Sequence, residues 1–177
     1  MSIAIRAAIE SDLPAILTIY NHAIINTTAV YDYEPHTLAM RKAWYAAKVA
    51  DRLPVLVATL NGQVVGFAAL SWFRAWAAYR YTVENSLYVA PDQQGQGIGR
   101  QLLSASIEAA RDRGFHTIVS GIDAENAVSL YLHRQFGFES VGQMRQVGYK
   151  FDRWLDLTFM QLLLIGNPTQ QTTASGL

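Results

Sequence analysis

The chain has 177 residues without cysteine and carries 14 basic and 14 acidic side chains, so its formal net charge is zero. The length suffices for one domain with a full core, and this composition excludes disulfides, thiolate catalysis and cysteine–zinc sites and gives no sign of a nucleic-acid partner. The four histidines are not spaced as metal ligands, and no apolar run is long enough to cross a membrane, so we expect neither a metal site nor a membrane span. The N-terminus has no hydrophobic signal-peptide core, so we expect a cytoplasmic protein.

The first half of the sequence predicts one strand, two helices and a β-hairpin. Apolar residues alternate in the first strand and recur at helical spacing in the first helix. That helix is expected to begin at Ser11 or Asp12, with Pro14 in its first turn, and Asn61-Gly62 favours a two-residue hairpin turn. The other predicted elements are a strand at 3–7, a loop at 26–35, a helix capped by Thr37 that reaches about residue 49, and strands at 55–60 and 63–71.

The second half predicts more strands of the same sheet and two further helices. The predicted elements are an aromatic connection at 72–80, a strand at 81–90, a helix at 98–113, a strand at 117–122, a helix at 127–136 and strands at 138–147 and 154–164. This order predicts a single α/β domain at 1–165, with a mixed sheet and flanking helices. Residues 166–177 contain proline, glutamine and threonine and are predicted to form a flexible tail.

The stretch Gln94-Gly95-Gln96-Gly97-Ile98-Gly99, between a strand and an amphipathic helix, predicts an anion site. Glycine lets the backbone approach a ligand, and the first amides of a helix are unpaired and lie at the positive end of its dipole. The spacing fits neither a Walker loop, which needs a lysine, nor a dinucleotide loop, in which glycine would replace Arg100. The alternative is a tight strand-to-helix turn without a ligand.

The order Gln-x-x-Gly-x-Gly after Leu87-Tyr88-Val89 resembles the acetyl-CoA loop of the GNAT superfamily of N-acetyltransferases. A second segment, Asn126 to Phe138, is similar to the Asn…Tyr…Gly-Phe helix of that superfamily. The resemblance covers about residues 3 to 164. It implies the GNAT fold, an α/β fold with a central mixed, mostly antiparallel sheet of about seven strands flanked by about four helices.

The same resemblance implies acetyl-CoA as a co-substrate and no metal. The residues that match the coenzyme-binding motifs are Leu87, Tyr88, Val89, Gln94, Gly95, Gln96, Gly97, Ile98, Gly99, Arg100, Asn126 and His133. The sequence departs from the family at one position, because His133 stands where a tyrosine often lies four residues before the glycine. Tyr131 lies two residues earlier and is expected on another helix face.

This histidine variant resembles one GNAT branch, which contains phosphinothricin N-acetyltransferases and methionine sulfone and sulfoximine N-acetyltransferases. The Asn-Thr-Thr-Ala loop at 26–29 and the segments 82–89 and 148–156 also look like that branch. Its members acetylate the α-amine of small amino-acid-like molecules and are typically homodimers, so the resemblance implies both properties here. The substrate within the branch stays open.

Acetyl transfer to an amine needs a base, a polarised thioester carbonyl and a proton for the departing thiolate. Glu84 is the expected base, directly or through water, although it could be a solvated carboxylate at the strand end. A backbone amide of Leu87 or Tyr88 is expected to polarise the carbonyl. His133 is the candidate acid or coenzyme contact, a structural role is the alternative, and Tyr131 is the reserve candidate.

The aromatic connection is expected to supply the substrate pocket. Arg74 is predicted to bind the α-carboxylate through its planar guanidinium, and Arg80 is the alternative. If Arg74 has no such role, it would be a surface arginine stacked on an aromatic ring. The predicted substrate-binding residues are Thr28, Tyr31, Phe73, Arg74, Ala75, Glu84, Asn85 and Ser86. Two other functions stay open, a protein or peptide N-terminal acetyltransferase, which needs an open groove, and a non-catalytic acyl-CoA-binding domain.

Overall fold

The computed structural model describes residues 3–164 and has the predicted succession of strands and helices. The strands are β1 (Ile3–Ala7), β2 (Val55–Leu60), β3 (Gln63–Trp72), β4 (Thr82–Val89), β5 (Thr117–Asp123), β6 (Glu139–Lys150) and β7 (Arg153–Leu163). The helices are α1 (Leu13–Asn26), α2 (Leu38–Ala50), α3 (Ile98–Asp112) and α4 (Ala127–Gln135). The predicted tail at 166–177 and the domain limit at residue 165 lie outside the described residues.

The strands form one sheet in the order β1-β2-β3-β4-β5-β7-β6. Neighbouring strands are antiparallel except β4 and β5, which are parallel because α3 returns the chain to the end of the sheet where β4 began. The mixed, mostly antiparallel sheet of seven strands with four helices confirms the predicted fold class. Among the described residues, no helix is long and apolar enough to cross a membrane.

The sheet carries a hydrophobic core on each face. Phe67 of β3 packs with Leu13 and Ile16 of α1, whereas the next residue, Ala68, packs with Leu102 of α3 on the opposite face. Successive side chains of a strand point to opposite faces, so the unbroken apolar run of β3 is what a strand buried on both sides requires. Helices therefore cover both faces and leave the ends of β4 and β5 to form a site.

Two helix starts test the predicted caps. The hydroxyl of Thr37 accepts a hydrogen bond of 3.2 Å from the Met40 amide, as expected for a cap of α2. Asp12 lies at the cap position of α1 but does not cap it, because its carboxylate accepts from the Ile9 amide and pairs with Arg6 at 2.6 Å. That carboxylate instead stabilises the short 3-10 turn that precedes α1.

Two hairpins differ in how clearly the sequence marks them. Asn61 and Gly62, with φ of 51° and 80°, form the predicted turn between β2 and β3. The second turn, between β6 and β7, consists of Phe151 and Asp152, whose φ values of 51° and 56° also lie in the left-handed region. The sequence prediction ended the strand at residue 147, whereas β6 continues to Lys150, and no glycine in this turn marks its position. The three added residues pack next to the site described below.

Candidate active site

A fork between β4 and β5 forms a cavity. The two strands pair only over Thr82–Glu84 and Thr117–Val119, although they continue to Val89 and Asp123. They therefore diverge and leave a cavity of about 320 Å³, a size suited to a small ligand. It is lined by Ala29, Val30, Tyr31, Ser71, Glu84, Asn85, Ser86, Leu87, Tyr88, Ser120, Gly121, Ile122, Asp123, Asn126, Ser129 and His133.

Glu84 lies where the fork begins, half-buried and on the cavity wall. Its carboxylate lies beside Gly121 of β5, where a Cβ would stand in ordinary van der Waals contact, 3.4 Å from the Glu84 Oε1. Burial raises the pKa of Glu84 above its ordinary value, and the positive charge of Arg74 partly opposes this rise. A carboxylate with a raised pKa is a better proton acceptor than an exposed one.

A buried hydrogen-bond chain crosses the fork behind Glu84. The Ser120 hydroxyl donates to the Asn85 Oδ1, and the Asn85 Nδ2 lies 3.3 Å from the His133 Nε2. The His133 Nδ1 lies 2.8 Å from the Ser129 carbonyl oxygen, which can only accept, so Nδ1 carries the proton and Nε2 accepts from Asn85. The chain joins β4, β5 and α4 at the point where the sheet opens.

His133 is thus held as a neutral imidazole. It is only 3% exposed, and burial lowers its pKa, which the hydrogen bond to Ser129 partly opposes. Nε2 carries no proton in this tautomer, so it can donate one only after its bond to Asn85 opens and it has itself taken up a proton. Of the two residues considered for thiolate protonation, His133 lines the cavity, whereas Tyr131 is 63% exposed and lies outside the lining.

The glycine loop lies between β4 and α3, with an open surface. Gly97 is the cap residue of α3, and Gly95 and Gly97 have φ of 76° and 79°. A Cβ on either residue would meet no atom within 4 Å, so the backbone is accessible to a ligand. The Gln101 amide is the one that bonds to the Gly97 carbonyl, which leaves the preceding amides of α3 for an anion.

The flanking coenzyme candidates are spread around this loop. Leu87, Tyr88 and Asn126 line the cavity, and the Asn126 Oδ1 caps α4 by accepting from the Ser129 amide at 3.0 Å. The remaining candidates, Val89, Gln94, Gly95, Gln96, Gly97, Ile98, Gly99 and Arg100, lie outside the cavity lining, at the end of β4, in the loop and in the first turn of α3. A ligand on both the loop and the cavity would therefore be elongated.

The predicted substrate residues fall into separate places. Tyr31, Glu84, Asn85 and Ser86 line the cavity, whereas Thr28 lies outside its lining. The other three, Phe73, Arg74 and Ala75, line a second depression, formed by the connection between β3 and β4. Arg74 stacks at 4.5 Å on the Phe73 ring and donates to the Phe73 carbonyl at 3.1 Å, and Arg80 stacks at 4.8 Å on Tyr81.

Asp123 is a cavity residue that the sequence analysis missed. It is the last residue of β5, 4% exposed, and its Oδ1 accepts from the Glu125 amide at 2.8 Å. Its Oδ2 has no hydrogen-bond partner among residues 3–164. Its position at the end of β5, the neighbour of the strand that precedes the glycine loop, could have identified it as a site residue. With Glu84 it makes the cavity acidic, because the lining contains neither lysine nor arginine.

Residues 16–138 match the family model described as Acetyltransferase (GNAT) family. The chain belongs to the GNAT family of acetyltransferases. The forked strands and the helix capped by Asn126 line the cavity of this GNAT chain, and the glycine loop lies outside the lining, between β4 and α3. No group of three or more histidine or acidic side chains suited to a metal ion occurs among the described residues.

Several proteins are similar to the GNAT chain over nearly its full length. An L-methionine sulfoximine/L-methionine sulfone acetyltransferase of Pseudomonas paraeruginosa is 52% identical over 96% of this chain and 98% of its own. A phosphinothricin acetyltransferase of Sinorhizobium meliloti, solved in complex with acetyl-CoA, has a TM-score of 0.92 and 36% identity over 98% and 95%. A ribosomal-protein-alanine N-acetyltransferase of Brucella melitensis has a TM-score of 0.90 and 49% identity over 91% and 99%.

These similarities confirm the resemblance drawn from the glycine loop and from the histidine variant of the second motif. Both named types of the branch occur among the relatives of this GNAT chain. The match also confirms that the chain is related to enzymes, because the relatives are named as acetyltransferases.

Proposed function

We propose that the protein transfers the acetyl group of acetyl-CoA to the α-amine of a small amino-acid-like molecule of the methionine sulfone, methionine sulfoximine or phosphinothricin type. The observation that carries this proposal is the acidic cavity at the strand fork, with Glu84 on its wall and the cavity-lining backbone of β4 beside it. The similarity to acetyltransferases named for these substrates supports it.

The chain offers a continuous surface for acetyl-CoA. In the proposal, the amides of Gly95, Gly97 and the first turn of α3 hold the pyrophosphate, with Arg100 beside them. The pantetheine arm lies along the unpaired edge of β4, and an amide of Leu87 or Tyr88 polarises the acetyl carbonyl. The divergence of the strands after Glu84 supports this arrangement because it leaves β4 backbone groups without β5 partners.

The amine must lose a proton before it attacks the thioester carbon. We assign this step to Glu84, directly or through one water, because its raised pKa matches the task better than that of an exposed carboxylate. The attack forms the C–N bond of the amide and breaks the C–S bond, so the thiolate leaves and a second amine proton is lost. The net products are the acetylated amine, free thiol and one proton.

His133 has two possible parts in this reaction. As a proton donor, Nε2 would first take up a proton that the amine releases, once its bond to Asn85 has opened, and would then pass that proton to the thiolate. As a positioning residue it would fix the Asn85 amide at the fork through the chain that begins at Ser120. The arrangement of both ring nitrogens favours positioning, and the pH profile of the His133→Ala enzyme separates the two, as described below.

The substrate carboxylate needs a cation that the cavity lining lacks. We propose that Arg74 supplies it, although its side chain lies in the neighbouring depression. Its positive charge acts on Glu84 and partly offsets the rise in the pKa of that carboxyl that burial causes. Arg80 in the same depression is the alternative. An ester of the substrate carboxylate should be a poor substrate of the wild type, and Arg74→Ala should reduce this discrimination.

The proposed function is tested by following free thiol release from acetyl-CoA. L-Methionine sulfone, L-methionine sulfoximine and phosphinothricin should each be acetylated, and mass spectrometry should locate the acetyl group on the α-amine. A protein or peptide N-terminal acetyltransferase is the second candidate, favoured by the 49% identity to the Brucella enzyme. Preference for a peptide with N-terminal alanine over all three amino acids would overturn the proposal. Coenzyme binding without turnover of any amine would indicate a non-catalytic acyl-CoA-binding domain.

We also propose that the protein is a homodimer that acts in the cytoplasm, where acetyl-CoA is available. Support for the dimer comes from β6, a long strand at the edge of the sheet with large exposed apolar side chains at Val141, Met144 and Val147. Sedimentation should give twice the monomer mass for the wild type. A Val141→Glu variant should dissociate, and an unchanged mass would remove β6 from the interface.

A further inference from the structure

Lys150, at the end of β6, is a buried cation outside the proposed chemistry. It is 4% exposed, and its Nζ donates to three backbone carbonyls, those of Ile24 at 2.5 Å, Thr27 at 2.9 Å and Val30 at 2.7 Å. An ammonium has three donors, so these bonds satisfy it completely. The partners lie more than a hundred residues away in sequence and belong to the end of α1 and the following loop.

The neighbours of Lys150 hold the same loop. The ring of Tyr31 packs so closely on Gly148 that a Cβ there would stand 2.6 Å from a ring carbon. The Tyr33 hydroxyl donates to the Tyr149 carbonyl at 2.5 Å. Three consecutive residues of β6, Gly148 to Lys150, therefore each fasten part of the segment that follows α1.

That segment is a wall of the acidic cavity. Ala29, Val30 and Tyr31 line it together with residues of the strand fork, and they belong to no helix or strand, since the loop lies between α1 and α2. The carbonyls that Lys150 binds lie at the negative end of the α1 dipole and directly before and within this wall. The ammonium thus bridges the end of a helix to a loop that has no other regular structure.

We propose that Lys150 is a positioning residue for the amine substrate: it fixes Ala29, Val30 and Tyr31 as the wall of the amine side of the cavity. Without the ammonium, three carbonyls at one buried point would lack donors and would turn towards water. The wall would then move away from the fork while the glycine loop, on α3, kept its place. The inference rests on the proposed function, because it assigns that wall to the amine rather than to the coenzyme.

The test compares three variants with L-methionine sulfone as the amine. Lys150→Met keeps a long unbranched side chain and removes the donors. Gly148→Ala displaces the Tyr31 ring without removing a charge. Ile107→Ala is the matched control, because it loses packing in the core on the α3 face, far along the helix from the glycine loop.

In both β6 variants the KM for the amine should rise roughly tenfold or more, since small displacements of a substrate-positioning wall have large effects. The dissociation constant of acetyl-CoA should stay within about twofold of the wild type, because the predicted coenzyme contacts lie elsewhere. Ile107→Ala should lower thermal stability without changing either value. A Lys150→Met enzyme with lower specific activity but an unchanged amine KM would overturn the inference, because it would show only general support of the fold.

Failure of the proposed function is distinguishable from failure of this inference. If the wild type acetylates no amino acid, the proposed function fails. Amide hydrogen exchange then tests whether Lys150 holds residues 29–31 in place. Exchange at residues 29–31 should then be faster in Lys150→Met than in the wild type and unchanged in Ile107→Ala. Equal exchange of these amides in Lys150→Met and wild type would overturn the assignment of the wall to Lys150.

Discussion

Replacement of Glu84 by glutamine tests the proposed base and the energetic consequence of its burial together. Glutamine has nearly the same shape but accepts no proton, so kcat should fall by the 10²–10⁴-fold that general base catalysis typically contributes, about 3–5 kcal/mol of barrier. Because the pKa of Glu84 is raised by burial, the acid limb of the wild-type kcat/KM profile should lie above the ordinary carboxyl value. The variant should lack that limb.

The same change should increase stability at neutral pH. A carboxyl whose pKa is raised on folding binds more protons in the folded state than in the unfolded state between the two pKa values, so the wild type loses stability as pH rises through that window. The loss is absent well below the ordinary carboxyl pKa of about 4.3, where both states are protonated, and it increases as pH rises above that value. Glutamine does not titrate, so its advantage should disappear in acid.

Thiol release and thermal melting at pH 4 and pH 7.5 measure both consequences in one pair of proteins. Glu108→Gln is the control, because Glu108 is an exposed carboxylate on α3 paired with Arg111 at 2.6 Å. It should change neither activity nor the melting temperature by a measurable amount, because exposed ion pairs contribute little to stability. A Glu84→Gln enzyme with normal kcat would refute the assignment of the base. A melting temperature equally displaced at both pH values would refute the argument from burial.

Three further predictions concern the coenzyme, the carboxylate and the buried chain. Gly97→Val should weaken acetyl-CoA binding in calorimetry far more than amine binding, since it strains a left-handed residue and fills the open loop surface. Arg74→Ala should raise the amine KM by less than the loss of a buried charge pair would, because Arg74 is exposed, and an equal acid-to-ester ratio in variant and wild type would shift the role to Arg80. The effects of His133→Ala and Asn85→Ala on kcat should be non-additive if His133 positions Asn85. Loss of the basic limb from the pH profile of kcat in His133→Ala would instead show that His133 donates a proton.

Local signals account for the parts of the fold and site that the sequence predicted. Asn61-Gly62, the Thr37 cap and the glycine loop each act within a few residues, so their structures follow from nearby sequence. The family motifs also predict coenzyme binding by Gly95, Gly97 and Asn126, and this role stays a prediction. Such features depend little on what the rest of the chain does.

Long-range contacts account for what was missed. Asp123, Ser120 and Lys150 look ordinary in sequence, and they matter only because the chain brings a strand end to a fork or β6 to the end of α1. The connection that contains Arg74 shows that sequence spacing alone also failed to predict which residues share a cavity. Arg74 lies ten residues before Glu84 in sequence, yet their side chains line different depressions, because chain spacing does not indicate which side of a strand a loop will cover.

The distribution of charge around the fork suggests how one site can both select an amine and make it reactive. Glu84 and Asp123 attract an ammonium, and His133 is held neutral and does not oppose them. The buried carboxyl of Glu84 binds a proton more readily than an exposed one, so in the proposed reaction it would take the amine proton where the acetyl carbonyl is expected. The two acids repel an α-carboxylate from that point, and the cations of the connection beyond them attract it. An α-amino acid carries both charges on one carbon, so we infer that it enters in a single orientation, with its amine towards the fork.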